Sequence, residues 1–276
     1  MKQLSKKKPF DLFLCVFTWL CAGTTFLVLV FIISHIITRG LPYLKPSIFA
    51  LKYNSENVSL FPALISTFIL VVLSLLIAVP IGVFSAIYLV EYAKRGSRLV
   101  KVVRVTAETL SGIPSIVYGL FGMLFFVIRL EWGMSILSGA FTLSIMILPL
   151  IMRTTEESLK AVPDSYREGA FGLGAGKLRT VFYIVLPSAS PGILAGIILS
   201  VGRIVGETAA LLYTAGSIAR IPTTPMASAR TLAIHMYALS SEGLYTGQAY
   251  ATAVVLLAMV IGINLLSEYL ANKIVK

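Results

Sequence analysis

The sequence predicts an all-α membrane protein with six transmembrane helices, and three observations carry that expectation. Of 276 residues, 57% are hydrophobic and only 13% are charged; mean hydropathy is +0.90; and the apolar residues gather into six runs. A soluble domain is normally about 45–50% apolar and about 25% charged, so soluble enzymes are disfavoured from the outset. A hydrocarbon core of roughly 30 Å takes about 20 helical residues to cross, and a helix is the one single segment that satisfies its own backbone there.

The first run, Leu12 to Ile37, follows Lys6-Lys7-Lys8 and has the flank of a signal peptide. Its 26 residues exceed the about 7–15 of a signal-peptide apolar region, and no small-x-small cleavage site closes it. It is expected to remain as a span. The second, Phe61 to Tyr92, is 32 residues long, so it must tilt, protrude or bend at Pro80. Val105 to Ile128, Met134 to Met152, Gly192 to Tyr213 and Ala249 to Leu270 are expected as the third to sixth spans. Cys15 and Cys21 both lie in the first run, which leaves no disulfide framework and no metal site.

Basic residues set the orientation, because Lys and Arg resist translocation. One side carries sixteen: four before the first run, five in Ala93–Arg104, five in Arg153–Pro191 and two in the C-terminal tail. The other side carries six. The richer side is cytoplasmic, as are both termini. Position thus accounts for the net charge of +11 without nucleic acid, and anionic membrane lipid is its natural neighbour.

The largest cytoplasmic loop holds Asp164 as a candidate N-cap, two helical turns over Ser165–Phe171, a left-handed stop at Gly172 and Gly174, and a second short helix from Lys177 toward Pro187. Neither helix is stable alone, so the loop is either a docking surface or folds onto its own membrane helices. Gly172–Lys177 lacks the Gly at position 171 and the Ser or Thr at 178 that a phosphate-binding loop needs. ATP hydrolysis is therefore not expected on this chain, and neither an enzyme site nor a cofactor is expected.

Glu168-Gly169-Ala170, then Gly174, then Ile184-x-Leu186-Pro187 resemble the EAA loop of ABC importer permeases, with Gly169 where the motif has Ala. That change keeps a small residue and lowers helix propensity by about 1 kcal/mol. Glu108-Thr109-Leu110-Ser111-Gly112-Ile113-Pro114-Ser115-Ile116-Val117-Tyr118-Gly119 and Arg203-Ile204-Val205-Gly206-Glu207-Thr208-Ala209-Ala210 resemble signatures of phosphate permeases of the PstA type. The resemblance implies a type I ABC importer permease fold. It divides the chain into residues 1–60 (cytoplasmic tail, first span, outer loop), a permease domain at 61–270 and a cytoplasmic tail at 271–276. It also implies uptake of inorganic phosphate through a pathway shared with a second permease subunit, two copies of an ATPase subunit, an extracytoplasmic phosphate-binding protein, and a multi-pass place in the cytoplasmic (inner) membrane. Glu168, Gly169, Ala170, Gly174, Leu186 and Pro187 would form the ATPase contact.

The residues themselves argue for an anion. Arg203, near the middle of the fifth run, costs about 2.5–3.5 kcal/mol at bilayer depth and should face protein or water. With Ser200, Glu207 and Thr214 it would form one polar stripe, either a structural ion pair or a guanidinium fork for phosphate oxygens. Glu207 can accept the proton that monohydrogen phosphate carries and sulfate lacks. Thr208 adjoins it; Ser111 and Ser115 flank Pro114, whose missing donor loosens the third span. Gly119 and Gly122 would admit a close neighbour. In the outer segment from Thr214 to Tyr250, Arg220 is the candidate anion attractor, His235 is expected to be inert, and Met226–Leu239 is expected as an amphipathic surface helix. The competing readings are a permease for another oxyanion (molybdate or sulfate), a secondary transporter or channel without an ATPase, and a membrane scaffold.

Overall fold

The computed structural model describes residues 9–94 and 96–274; the basic N-terminal tail, Arg95 and the last two residues lie outside them. Within that range the chain is helical without strands. Five helices, Phe10–Tyr43, Phe61–Tyr92, Ile136–Ala161, Lys177–Val205 and Thr246–Leu266, are long and apolar enough to cross a membrane, and a bent pair, Arg98–Ser111 with Ser115–Arg129, makes a sixth crossing.

Helix α1 (Pro9–Gly40) is followed by two 3-10 turns, and α2 (Phe61–Ile87) runs straight through Pro80 into a π-helical turn at Tyr88–Tyr92. Next come α3 (Arg98–Ser111) and α4 (Ser115–Gly122), the latter extended by a π-helical stretch at Met123–Arg129. The third apolar run is thus not one continuous helix: Gly112-Ile113-Pro114 breaks it, and its two halves meet at 102°. Proline cannot donate into the ladder and disfavours helix in the residue before it, which is why the break falls there.

Helix α5 (Ile136–Ala161) continues nine residues past the predicted end at Met152, so Arg153 to Ala161 are helical rather than loop. Then follow α6 (Asp164–Gly172), α7 (Lys177–Thr180), a π-helical turn at Val181–Val185, α8 (Leu186–Val205) and α9 (Ala209–Thr214). Three sequence expectations are corrected in this stretch. Asp164 is the first helical residue, and Pro163 occupies the N-cap. The second short helix does not stop at Pro187, because proline is tolerated in a first turn, and it joins the fifth span. That span ends at Val205, and Gly206-Glu207-Thr208 separates it from α9.

Helices α10 (Leu232–Glu242) and α11 (Thr246–Ile274) complete the chain. The expected amphipathic surface helix is instead buried: Leu232, Ala233, Ile234, His235 and Leu239 are almost fully covered. The Leu232 amide donates to Thr67 Oγ1 of α2 at 2.9 Å, and Thr231 caps the helix by accepting from the Ile234 amide. The strand of chain before α10 also serves α5, whose first amides, Ser135, Ile136 and Leu137, donate to the carbonyls of Thr214, Ala227 and Pro225.

The core is the α2–α5 pair. Ser66, Leu70, Ser74, Ala78, Gly82 and Ala86 recur every four residues and are all buried. Small side chains let the backbones approach: a Cβ on Gly82 would stand 2.8 Å from Ile151 Cγ2. Ser144 Oγ donates across the seam to the Ser74 carbonyl at 3.1 Å, and Ser74 Oγ to the Ala140 carbonyl at 3.3 Å. Helix α8 packs on the other side of α5, α1 leans on α11, and α4 packs on α9.

Candidate functional site

The two breaks lie side by side, because α4 and α9 are in contact. Gly119 makes this possible, since a Cβ there would meet Ala210 Cα at 2.8 Å. Across the first break Tyr118 Oη donates to the Leu110 carbonyl at 2.7 Å, which ties α4 back to α3. At the second break Glu207 Oε1 accepts from the Ala210 amide at 3.0 Å and so caps α9.

On the α3 side of the first break opens a cavity of about 510 Å³. Helix α3 contributes Arg104, Glu108 and Ser111, α5 contributes Arg153, Glu156, Glu157 and Lys160, and α8 contributes Arg203. Four cations and three carboxylates leave one positive charge in excess. Buried Glu156 accepts from Arg104 Nη2 and Lys160 Nζ, each at 2.6 Å, and Arg153 Nε pairs with Glu157 at 3.0 Å. Among the described residues Arg203 and Glu108 have no ion-pair partner within 4.0 Å. Arg203 belongs to the last turn of α8, where helix carbonyls favour a cation. It also borders a second cavity, with Asn264 and Glu268 of α11, and so stands in the wall between two spaces.

The structure brings only Arg203 and Ser111 together from the predicted pathway set. The break after Val205 dissolves the stripe, and no ion pair joins Arg203 to Glu207. Ser200 is fully buried and donates to its own helix at the Gly196 carbonyl, 2.9 Å away. Thr208 lines a separate, apolar cavity with Ile116, Tyr213 and Tyr237. Ser115 is half-buried at the start of α4, and Arg220 is exposed in the segment between α9 and α10.

Arg104, Glu156 and Lys160 escaped the sequence reading, and Glu108, to which it assigns no chemistry, lines the cavity with them. Glu156 with Lys160 and Arg153 with Glu157 are spaced i, i+4, a helix signal hidden by treating everything after Met152 as loop.

On α6, Glu168 and Gly169 are exposed, whereas Ala170 is buried within this chain. Gly174 has φ +80°, the left-handed stop expected of it, whereas Gly172, expected to share that stop, is still helical as the last residue of α6. Leu186 is half-buried and Pro187 exposed. Leu173 is 91% exposed and Phe171 47%, an apolar tip held in the open.

A family profile described as "binding-protein-dependent transport system inner membrane component" matches residues 78–276. The "probable ABC transporter permease protein YqgI" of Bacillus subtilis (strain 168) is 33% identical over 275 residues, covering 93% of each chain. The "phosphate transport system permease protein PstA" of Pasteurella multocida (strain Pm70) is 35% identical over 272 residues, covering 93% of this chain and 90% of the relative. Among solved structures, a bacterial alginate ABC transporter in complex with its pentasaccharide-bound periplasmic protein contains a chain of the same fold. Its TM-score is 0.71 at 16% identity, over 100% of this chain and 99% of that one.

Proposed function

Because the chain belongs to the family of binding-protein-dependent transport system inner membrane components, and is therefore a multi-pass permease subunit of an ABC importer and no enzyme, we propose that it conducts inorganic phosphate. It forms half of the pathway; a second permease subunit forms the other half. An extracytoplasmic phosphate-binding protein delivers the anion, and of two ATPase subunits one seats on α6 and the other on the second permease subunit. Both termini face the cytoplasm, in keeping with sixteen basic residues on that side against six on the other.

The observation that carries the substrate assignment is Arg203, a cation without an ion-pair partner among the described residues, set where a broken helix opens a charged cavity. A guanidinium is always charged and offers a planar fork that matches phosphate oxygens. In alternating access the cavity is open inward, and Arg203 holds the anion beside the break before release. Glu207 discriminates by hydrogen bonding: it accepts from the hydroxyl of monohydrogen phosphate, whereas sulfate has no proton to offset the repulsion, and its other task is to cap α9. Glu168, Phe171 and Leu173 supply the ATPase contact, supported by the exposure of the two apolar side chains.

The test is uptake into proteoliposomes holding both permeases, the ATPase and the binding protein. Removing one charge-assisted contact with Arg203→Gln is expected to lower phosphate uptake roughly 10- to 100-fold, the equivalent of about 1.5–3 kcal/mol. Wild-type uptake by that variant would remove Arg203 from the pathway, and preferential accumulation of sulfate or molybdate by the wild type would reassign the substrate. Accumulation of phosphate by this chain alone would remove the ATPase from the scheme.

A further inference from the structure

Arg167 precedes Glu168 on α6, yet its side chain is turned inward and only 13% exposed. It donates from Nε and Nη2 to Glu91 Oε1 at 3.1 and 2.7 Å. It also donates from Nη2 to the Leu159 carbonyl at 2.9 Å, and from Nη1 to the Val162 carbonyl at 2.8 Å and Asp164 Oδ1 at 3.2 Å. Glu91, itself 8% exposed, lies in the π-helical turn that closes the second span, 76 residues away in sequence. Leu159 and Val162 belong to the C-terminal end of α5, whose last carbonyls have no partner within the helix. One guanidinium therefore ties together the end of α2, the end of α5 and the helix that carries the exposed tip.

The surroundings make that tie stiff. Ile87, Leu89, Leu159, Val162, Val181 and Val185 are buried in one apolar cluster beneath it. Both chain segments that leave this cluster for the membrane, Tyr88–Tyr92 and Val181–Val185, are π-helical, a geometry often found at functional positions. One turn beyond Arg167, on the same face of α6, half-exposed Phe171 lines a cavity with Arg167 and Glu91, and Leu173 projects into the open just past the helix end. A push on that tip reaches the α2–α5 core through Arg167.

We infer that Arg167, paired with Glu91, is the positioning residue that transmits movement of α6 to α2 and α5; this rests on the reading that α6 seats on an ATPase. Lysine at 167 keeps the charge for Glu91 but lacks the fork that reaches two carbonyls as well. Glu91→Gln keeps the shape and removes the charge.

The test uses the full complex with its binding protein and phosphate, with Leu173→Asp as a control for docking. Arg167→Met is expected to retain the ATPase through purification and to lose stimulation of ATP hydrolysis by loaded binding protein, with phosphate uptake below about a tenth of wild type. Arg167→Lys and Glu91→Gln are expected to fall between Arg167→Met and wild type. Normal uptake and stimulation in Arg167→Met, with Leu173→Asp stripping off the ATPase, would overturn the Arg167 assignment alone. Loss of the ATPase from both Arg167→Met and Glu91→Gln would overturn it too, by making the pair part of the docking surface or of folding. Full retention of the ATPase by Leu173→Asp would overturn the docking reading and the transmission role with it.

Discussion

His235 allows a quantitative test of how dry the cap formed by α10 is. It sits in the second turn of α10, outside the spanning helices, fully buried, and neither ring nitrogen has a hydrogen-bond partner. The Tyr53 ring meets it edge-on at 6.0 Å, and Arg230 lies over that same ring at 5.7 Å. Burial first, then the Arg230 charge, lowers the imidazole pKa from 6.5 to about 4, with the Val58 backbone offsetting a part. Because the folded-state value is the lower one, the unfolded chain takes up the proton first, and stability is lost as pH falls. The loss begins near pH 6.5 and is complete below about pH 4. At 1.36 kcal/mol per unit it amounts to about 2 kcal/mol at pH 5 and about 3 kcal/mol at pH 4. His235→Leu removes the titrating group at similar volume. Thermal unfolding in nanodiscs, taken as the difference between wild type and His235→Leu, cancels the carboxylates both share. The variant's advantage should grow by about 2 kcal/mol between about pH 7.5 and pH 5. A difference that stays constant over that range would mean that the imidazole is hydrated or paired, and the description of the cap as dry would be wrong.

Two further perturbations address the breaks. Gly119→Val places a side chain where a Cβ already meets Ala210 Cα at 2.8 Å, so α4 and α9 must separate; a loss of about 1–3 kcal/mol is expected, read as a lowered unfolding temperature. Glu207→Gln retains a carbonyl oxygen for the Ala210 amide while deleting the charge, so the fold should persist and sulfate should begin to compete in uptake assays. Unchanged sulfate exclusion would leave Glu207 with capping alone.

Composition and run length carried the class of fold, because burial in lipid demands long apolar segments whatever their packing. The family resemblance read from Glu168 to Pro187 is upheld by the profile match and by relatives aligned along nearly the whole chain. Hydropathy is silent about breaks, however. Gly206-Glu207-Thr208 contains no proline, and its neighbours are as apolar as any span, so the loss of helix there is a tertiary matter: α9 must turn to meet Gly119. The stripe from Ser200 to Thr214 assumed a continuous helix and failed with it. Burial of α10 was hidden for a different reason. Leu232, Ala233, Ile234 and Leu239 are covered while Tyr237 stays exposed, and an apolar face read from sequence does not say whether it meets a membrane surface or, as here, α2 and α11. Arg167 and Glu91 are 76 residues apart, a pairing that no local pattern announces.

The exposed backbone at the breaks bears on how the subunit is assembled. Ser111, Gly112 and Pro114 at the first break and Gly206 at the second are exposed on the isolated chain. Each break ends a helix whose last carbonyls are released from the ladder. At the first break Ser111 Oγ, the Gly112 and Ile113 amides and Tyr118 Oη recover the Glu108, Thr109 and Leu110 carbonyls, and at the second the Gly206 and Glu207 amides recover those of Gly202 and Ile204. Hydrocarbon cannot satisfy the remainder, and irregular backbone at membrane depth is tolerated only against protein or water. The face that carries both breaks also carries exposed Ile116, Val117, Leu120 and Leu124, which water would not cover favourably. Protein over the apolar residues and water over the breaks meets both demands at once. That is the arrangement expected of two permease subunits enclosing an aqueous path between them, with Arg203 reaching that path from the end of α8.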